Sequence, residues 1–118
     1  MVESNLVVKD ASGVTIVAFQ ESTIIDATCI EQIAQDLYKL IDAGSAKHLL
    51  LDFSGVRLIA SRMLGVLLSL KKKSEVTQGS LCLCAVGEDL KKVFTVTNLD
   101  KSFSFFADES AALAHFRE

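Results

Sequence analysis

The stretch "LLLDFSGVRLIASRMLGVLL", Leu49 to Leu68, begins as one kind of element and ends as another. Its first residues belong to "HLLLDF", His48 to Phe53, a short continuous apolar run broken only by Asp52. A run of this kind predicts a strand covered on both faces. The second half changes period. From Ser61 onward, at roughly 100° per residue, Met63, Leu64, Val66, Leu67, Leu68 and Leu70 cover one broad side of a helix reaching about Glu75. Arg62, Gly65, Ser69, Lys72 and Lys73 fall in a narrow polar stripe. Ser61 is therefore expected at the N-cap or in the first turn. A plain N-cap serine is worth about 1 kcal/mol over alanine. The same position favours negative charge, so a phosphate on that hydroxyl is compatible with the fold.

The elements on either side follow from periodicity and turn residues. Leu6–Val8 and Thr15–Phe19 flank "DASG" and predict a hairpin turning at Asp10–Gly13. The next helix is expected to start near Asp26 or Thr28, where Thr28-x-x-Glu31 reads as a capping box. Ile30, Ile33, Ala34, Leu37 and Ile41 form its apolar stripe, and Gly44 is its expected stop. "SLCLCAV", Ser80–Val86, reads as a second buried strand. Gly87, Glu88 and Asp89 open a third helix, with Leu90, Val93 and Phe94 inward. A further strand is expected near Phe103–Phe106. Asp108 then caps a short last helix carrying Ala112, Leu113 and Phe116. Strands and helices alternate after the hairpin, which predicts a mixed, mostly parallel sheet with about four helices, an α/β fold. Residues 1–118 are read as one domain, without repeats or linkers.

Composition narrows the functional classes. Half the 118 residues are hydrophobic and 23% are charged, the balance of a folded domain. The net charge of −3 gives no basic surplus, so neither nucleic acid nor an anionic membrane is the expected partner. No apolar stretch approaches the roughly 20 residues of a membrane span. "MVESNLVVKD" lacks a signal-peptide core, and the expected location is the cytoplasm. Cys29, Cys82 and Cys84 are odd in number and lie in core-like segments, so they read as buried thiols rather than as disulfides or metal ligands. His48 and His115 read as edge or surface residues. No H-E-x-x-H, Walker, G-x-G-x-x-G or G-x-S-x-G pattern occurs, and no cofactor or catalytic activity is expected.

The opening stretch resembles the STAS domain, the fold of bacterial anti-sigma factor antagonists. The family pattern is an apolar strand with a late aspartate, a turn, then Asp-Ser-Ser-Gly-Leu-Gly opening a long apolar helix. Asp52, Gly55, Val56, Ile59, Ser61, Leu64 and Gly65 match it. Ala60, Arg62 and Met63 stand where the family has aspartate, serine and glycine. The resemblance runs through "LCLCAVGEDLKKVFTVTNLDKSFSFFADESAAL" near the C-terminus. It implies an anti-sigma factor antagonist that binds an anti-sigma factor with serine-kinase activity and so releases a sigma factor. It also implies that Ser61 is the phosphoacceptor and that a serine phosphatase resets it. The expected partner surface comprises Ser54, Gly55, Val56, Arg57, Ala60, Arg62, Met63, Gly65 and Ser69. Two other classes remain: an unswitched STAS adaptor or scaffold in a signalling or transport assembly, and a small ligand-binding or enzymatic domain using Asp52, Ser54 and Ser61 at a strand end.

Overall fold

The computed structural model describes residues 6–11, 13–42 and 47–116. The predicted hairpin is β1 (Leu6–Ala11) and β2 (Val14–Phe19), antiparallel, with Leu6 opposite Phe19 and Ala11 opposite Val14. The strands run further into "DASG" than the residue types suggested. Gly13, at φ 83°, supplies the left-handed turn conformation that lets them do so.

After the short strand β3 (Thr23–Ile24) comes α1 (Ala27–Asp42). Its buried stripe is Ile30, Ile33, Ala34, Leu37 and Ile41, as the spacing requires. Of the two expected starts, Asp26 is the one used. The Cys29 amide donates to the Asp26 carboxylate at 3.0 Å, so Asp26 caps the helix and the Thr28–Glu31 box does not form. Asp26 stands two residues before Thr28, and its carboxylate takes one of the orphan amides of the first turn, that of Cys29. The expected stop, Gly44, lies outside the described residues.

The opening stretch then folds as β4 (His48–Asp52), a loop containing β5 (Leu58–Ile59), and α2 (Ser61–Val76). The remainder is β6 (Ser80–Cys84), α3 (Glu88–Val96), β7 (Ser104–Phe106) and α4 (Glu109–Phe116). Asp108 caps α4 as predicted, accepting from the Ala111 amide at 2.9 Å.

The main sheet has the order β1-β2-β4-β6-β7, with every pair parallel except the hairpin. Alternate residues of its central strands enter two cores. Val17, Phe19, Leu49, Leu51, Phe53 and Leu83 point to the face covered by α1, α2 and α3. Val14, Ile16, Leu50, Cys82 and Cys84 point to the face where α4 supplies Ala112. Burial on both faces explains why β4 and β6 read as unbroken apolar runs. The cysteines are free; Cys82 and Cys84 are buried, and burial pushes their thiols up to about 11 and about 12. They act as small apolar fillers.

A second, two-residue parallel ribbon joins β3 to β5, pairing Thr23 with Leu58 and Ile24 with Ile59. The sequence reading did not anticipate it, because two residues carry no periodicity.

Candidate functional site: the loop between β4 and α2

Asp52 shapes the exit from β4. Its carboxylate accepts the Ser54 amide at 2.8 Å, closing a local turn. The Phe53 amide donates to the Cys84 carbonyl at 3.0 Å, and the Val56 amide to the Phe53 carbonyl at 2.9 Å. Beyond the turn, the loop is laced to the segment after β2. Arg57 donates to the Ser22 carbonyl at 2.7 Å, and Ala60 donates to the Ile24 carbonyl at 2.9 Å. The loop is thus held by backbone bonds at both ends rather than left to swing.

Ala60, not Ser61, is the N-cap of α2, with φ −80° and ψ 158° and no side-chain cap. Ser61 is the first helical residue and is exposed. The first turn of α2 holds no acidic residue. Elsewhere Asp26 caps α1, Glu88 and Asp89 occupy the first turn of α3, and Asp108 caps α4. The positive end of α2 is therefore left without a side chain to offset it. Arg57 and Arg62 are exposed beside it, and neither forms an ion pair among the described residues.

Ser54, Gly55, Arg57, Arg62, Gly65 and Ser69 are all exposed, and Ala60 is half-buried. Of the residues expected at this surface, Met63 is withdrawn from it and Val56 reaches only the wall of the adjoining groove. Met63 is fully buried and Val56 is 5% exposed, both inside the larger core. The reason is geometric: Met63 shares the inward side of α2 with Leu64, Leu67 and Leu70. These side chains support the surface from beneath. Gly65 stands four residues after Ser61 on the exposed side, and a Cβ there would meet nothing within 4 Å. The fold itself does not require this glycine, although glycine inside a helix costs about 0.5–1 kcal/mol against alanine.

An open groove of about 720 Å³ adjoins the loop. Thr23, Arg57 and Leu58 line one side, and Gly87, Glu88 and Asp89 at the start of α3 line the other. Leu58 is 48% exposed and the neighbouring Ile25 is 55% exposed, apolar surface contiguous with the β3–β5 ribbon. Sequence reading missed this part of the site. The sequence offers no signal that separates exposed Leu58 from Val56 and Ile59, the aliphatic residues on either side of it that are buried. Ala85, in the groove wall, has φ 58°, a conformation costly for any residue but glycine.

Asp52, Ser54 and Ser61 do lie near one sheet end, but they form no nucleophile–base pair. The Asp52 carboxylate is 8% exposed and already engaged by Ser54. Both histidines are remote in role: His48 Nδ1 lies 2.9 Å from the Ser80 hydroxyl, and the His115 ring stacks near Phe106.

A mixed, mostly parallel sheet, with three helices on one face and one on the other and a serine-headed helix beside a surface groove, defines a two-sided α/β domain. The model of the STAS domain matches residues 5–112, and the chain belongs to that family. Solved structures superpose over nearly the whole chain. An anti-sigma factor antagonist from Mycobacterium paratuberculosis gives a TM-score of 0.84 at 25% identity, over 96% of this chain and 93% of that one. The Bacillus cell fate determinant SpoIIAA, in its phosphorylated form, gives 0.74 at 17% identity, over 94% and 98% of the two chains. A sulfate transporter family protein from Wolinella succinogenes gives 0.73 at 18% identity, over 89% and 85%.

Proposed function

We propose that this chain is an anti-sigma factor antagonist that binds an anti-sigma factor kinase through the β4–α2 loop and the exposed side of α2, and that phosphorylation of Ser61 switches the binding off. The observation that carries the reading is the start of α2. An exposed serine hydroxyl heads a helix that has neither a side-chain cap nor an acidic first turn. A phosphate there meets the helix's free amides and the adjacent Arg62 guanidinium, so the domain accepts the charge without unfolding. The same charge alters the surface that Arg57, Gly65, Leu58 and Ile25 present to a partner.

The test is intact mass after incubation with ATP and an anti-sigma factor kinase. Wild type gains one phosphate, Ser61→Ala gains none, and the phosphorylated form loses affinity for the kinase. A phosphate that persists in Ser61→Ala would sink the site assignment.

A second reading keeps the surface and drops the switch: an adaptor in a signalling or transport assembly. The likeness to a transporter-family structure favours it, as does Ala60 in place of the family's aspartate. Equal partner affinity in wild type and Ser61→Asp would support the adaptor reading, short of the full charge of a phosphate.

A further inference from the structure

The outward face of α2 is charged in one sense only. At about 100° per residue, Arg62, Gly65, Ser69, Lys72 and Val76 fall within an arc of roughly 80°, away from buried Met63, Leu67 and Leu70. All five are exposed, and none carries a negative charge. The lysines that flank the arc on the same helix are matched. Lys71 pairs with Glu75 at 3.2 Å, and Lys73 with Asp42 at 3.1 Å. Arg62 and Lys72 have no ion-pair partner among the described residues. The whole chain carries a net charge of −3, so this cationic strip is a local field on an acidic molecule. We propose that the outward face of α2 docks an acidic helix of the partner protein, whose carboxylates meet Arg62 and Lys72.

The spacing argues for a helix. Arg62 and Lys72 stand ten residues apart on one face, about 15 Å along the axis, and acids on a facing helix can repeat at that interval. Between them lie Gly65, which has no side chain, and Ser69, which has a short one, so a facing backbone can approach closely. Two cations are too few for a membrane surface, where binding clusters hold about 4–8. The proposal deepens the functional reading, because it names the chemistry of the partner at the same face. It also supplies the sign of the switch, a step that rests on Ser61 being the phosphoacceptor. A phosphate there, with a charge of about −1.5 to −2, neutralises the adjacent Arg62 and repels the partner's acids.

The probe is a synthetic helical peptide of about 20 residues, with glutamates along one face and alanines elsewhere. It is titrated into the isotopically labelled full chain by NMR. The amides of Arg62, Gly65, Ser69 and Lys72 shift, and the affinity falls at least about threefold as salt rises from about 0.01 M to about 0.1 M. Reversing both charges, Arg62→Glu with Lys72→Glu, weakens binding roughly tenfold, and Ser61→Asp weakens it about threefold. Lys101→Glu, which alters an exposed cation outside the arc, leaves it within about twofold. No shift at those four amides with about 1 mM peptide overturns the proposal, as does an equal response to a lysine-for-glutamate peptide. An equal loss in Lys101→Glu, or cosedimentation of the chain with phosphatidylserine vesicles, overturns it too. The peptide assay needs neither kinase nor phosphate. A full peptide response with no phosphate gained at Ser61 upholds the docking chemistry and sinks the switch, and the converse result sinks the docking chemistry alone.

Discussion

Single residues divide here between those the fold needs and those it merely tolerates. Ser74 lies at 2% exposure in α2, and its hydroxyl has no hydrogen-bond partner among the described residues. A buried hydroxyl left unpaired costs desolvation without return. Ser74→Ala is therefore expected to leave stability unchanged or raise it by up to about 1 kcal/mol, as measured by urea denaturation. A loss above that size would mean that the hydroxyl is satisfied in solution. Ser61 is the opposite case, an exposed hydroxyl whose value lies in what is added to it. Its position in the first turn was legible from the period of "SRMLGVLLSL"; its lack of a capping bond was not. Capping depends on whether the preceding residue turns to extended geometry, and here Ala60 does so.

At the scale of the element, α2 carries both roles on one cylinder. Its inward side, Met63, Leu64, Leu67 and Leu70, is buried beneath the sheet. Each such aliphatic side chain contributes about 1.5–3 kcal/mol of burial. Its outward side gives up helix propensity at Gly65 with no steric reason. Gly65→Ala is accordingly expected to stabilise the domain by about 0.5–1 kcal/mol in thermal unfolding, while weakening capture of the proposed partner kinase. A variant that is stabilised and binds equally well would remove Gly65 from the interface. The amphipathic split of α2 was readable because period 3.6 sorts residues before any contact is known. Met63 shows how a family pattern can mislead about exposure. The resemblance put Met63 on the expected partner surface, yet the helical phase places the side chain inward, and the phase prevails.

Across the whole molecule, two carboxyls, Glu109 and Asp52, give stability a pH dependence with two opposed parts. Glu109's pKa is raised, first by its hydrogen bond to Asp52 and then by burial. The contribution of its protonated form is full below the ordinary glutamate value and is lost as pH rises through the folded value. For Asp52, burial opposes the charge, but hydrogen bonds from Glu109 and Ser54 prevail and hold its pKa below the usual range. Its contribution is present above the ordinary aspartate value and is lost as pH falls through the folded one. Glu109→Gln removes the first part alone. The stability difference between Glu109→Gln and wild type should therefore shift in the variant's favour from about pH 4 to about pH 7 in denaturant titrations. A difference that stays flat across that span would show that Glu109 titrates at its ordinary value.

By itself the chain's order of residues determined the element types, their alternation, the inward stripes of α1 and α2, and hence a mostly parallel sheet. Those properties are local: period, propensity and turn chemistry act within a few residues. Tertiary structure alone decided the rest. The β3–β5 ribbon exists because α1 and the β4–α2 loop bring two dipeptides side by side. The groove between Leu58 and Glu88 exists because consecutive parallel crossovers place those loops at one sheet end. The Lys9–Glu109 ion pair joins β1 to α4. No pattern along a chain signals such meetings, because they cost nothing until the sheet has formed and gain their energy only from the burial and proximity that the sheet imposes.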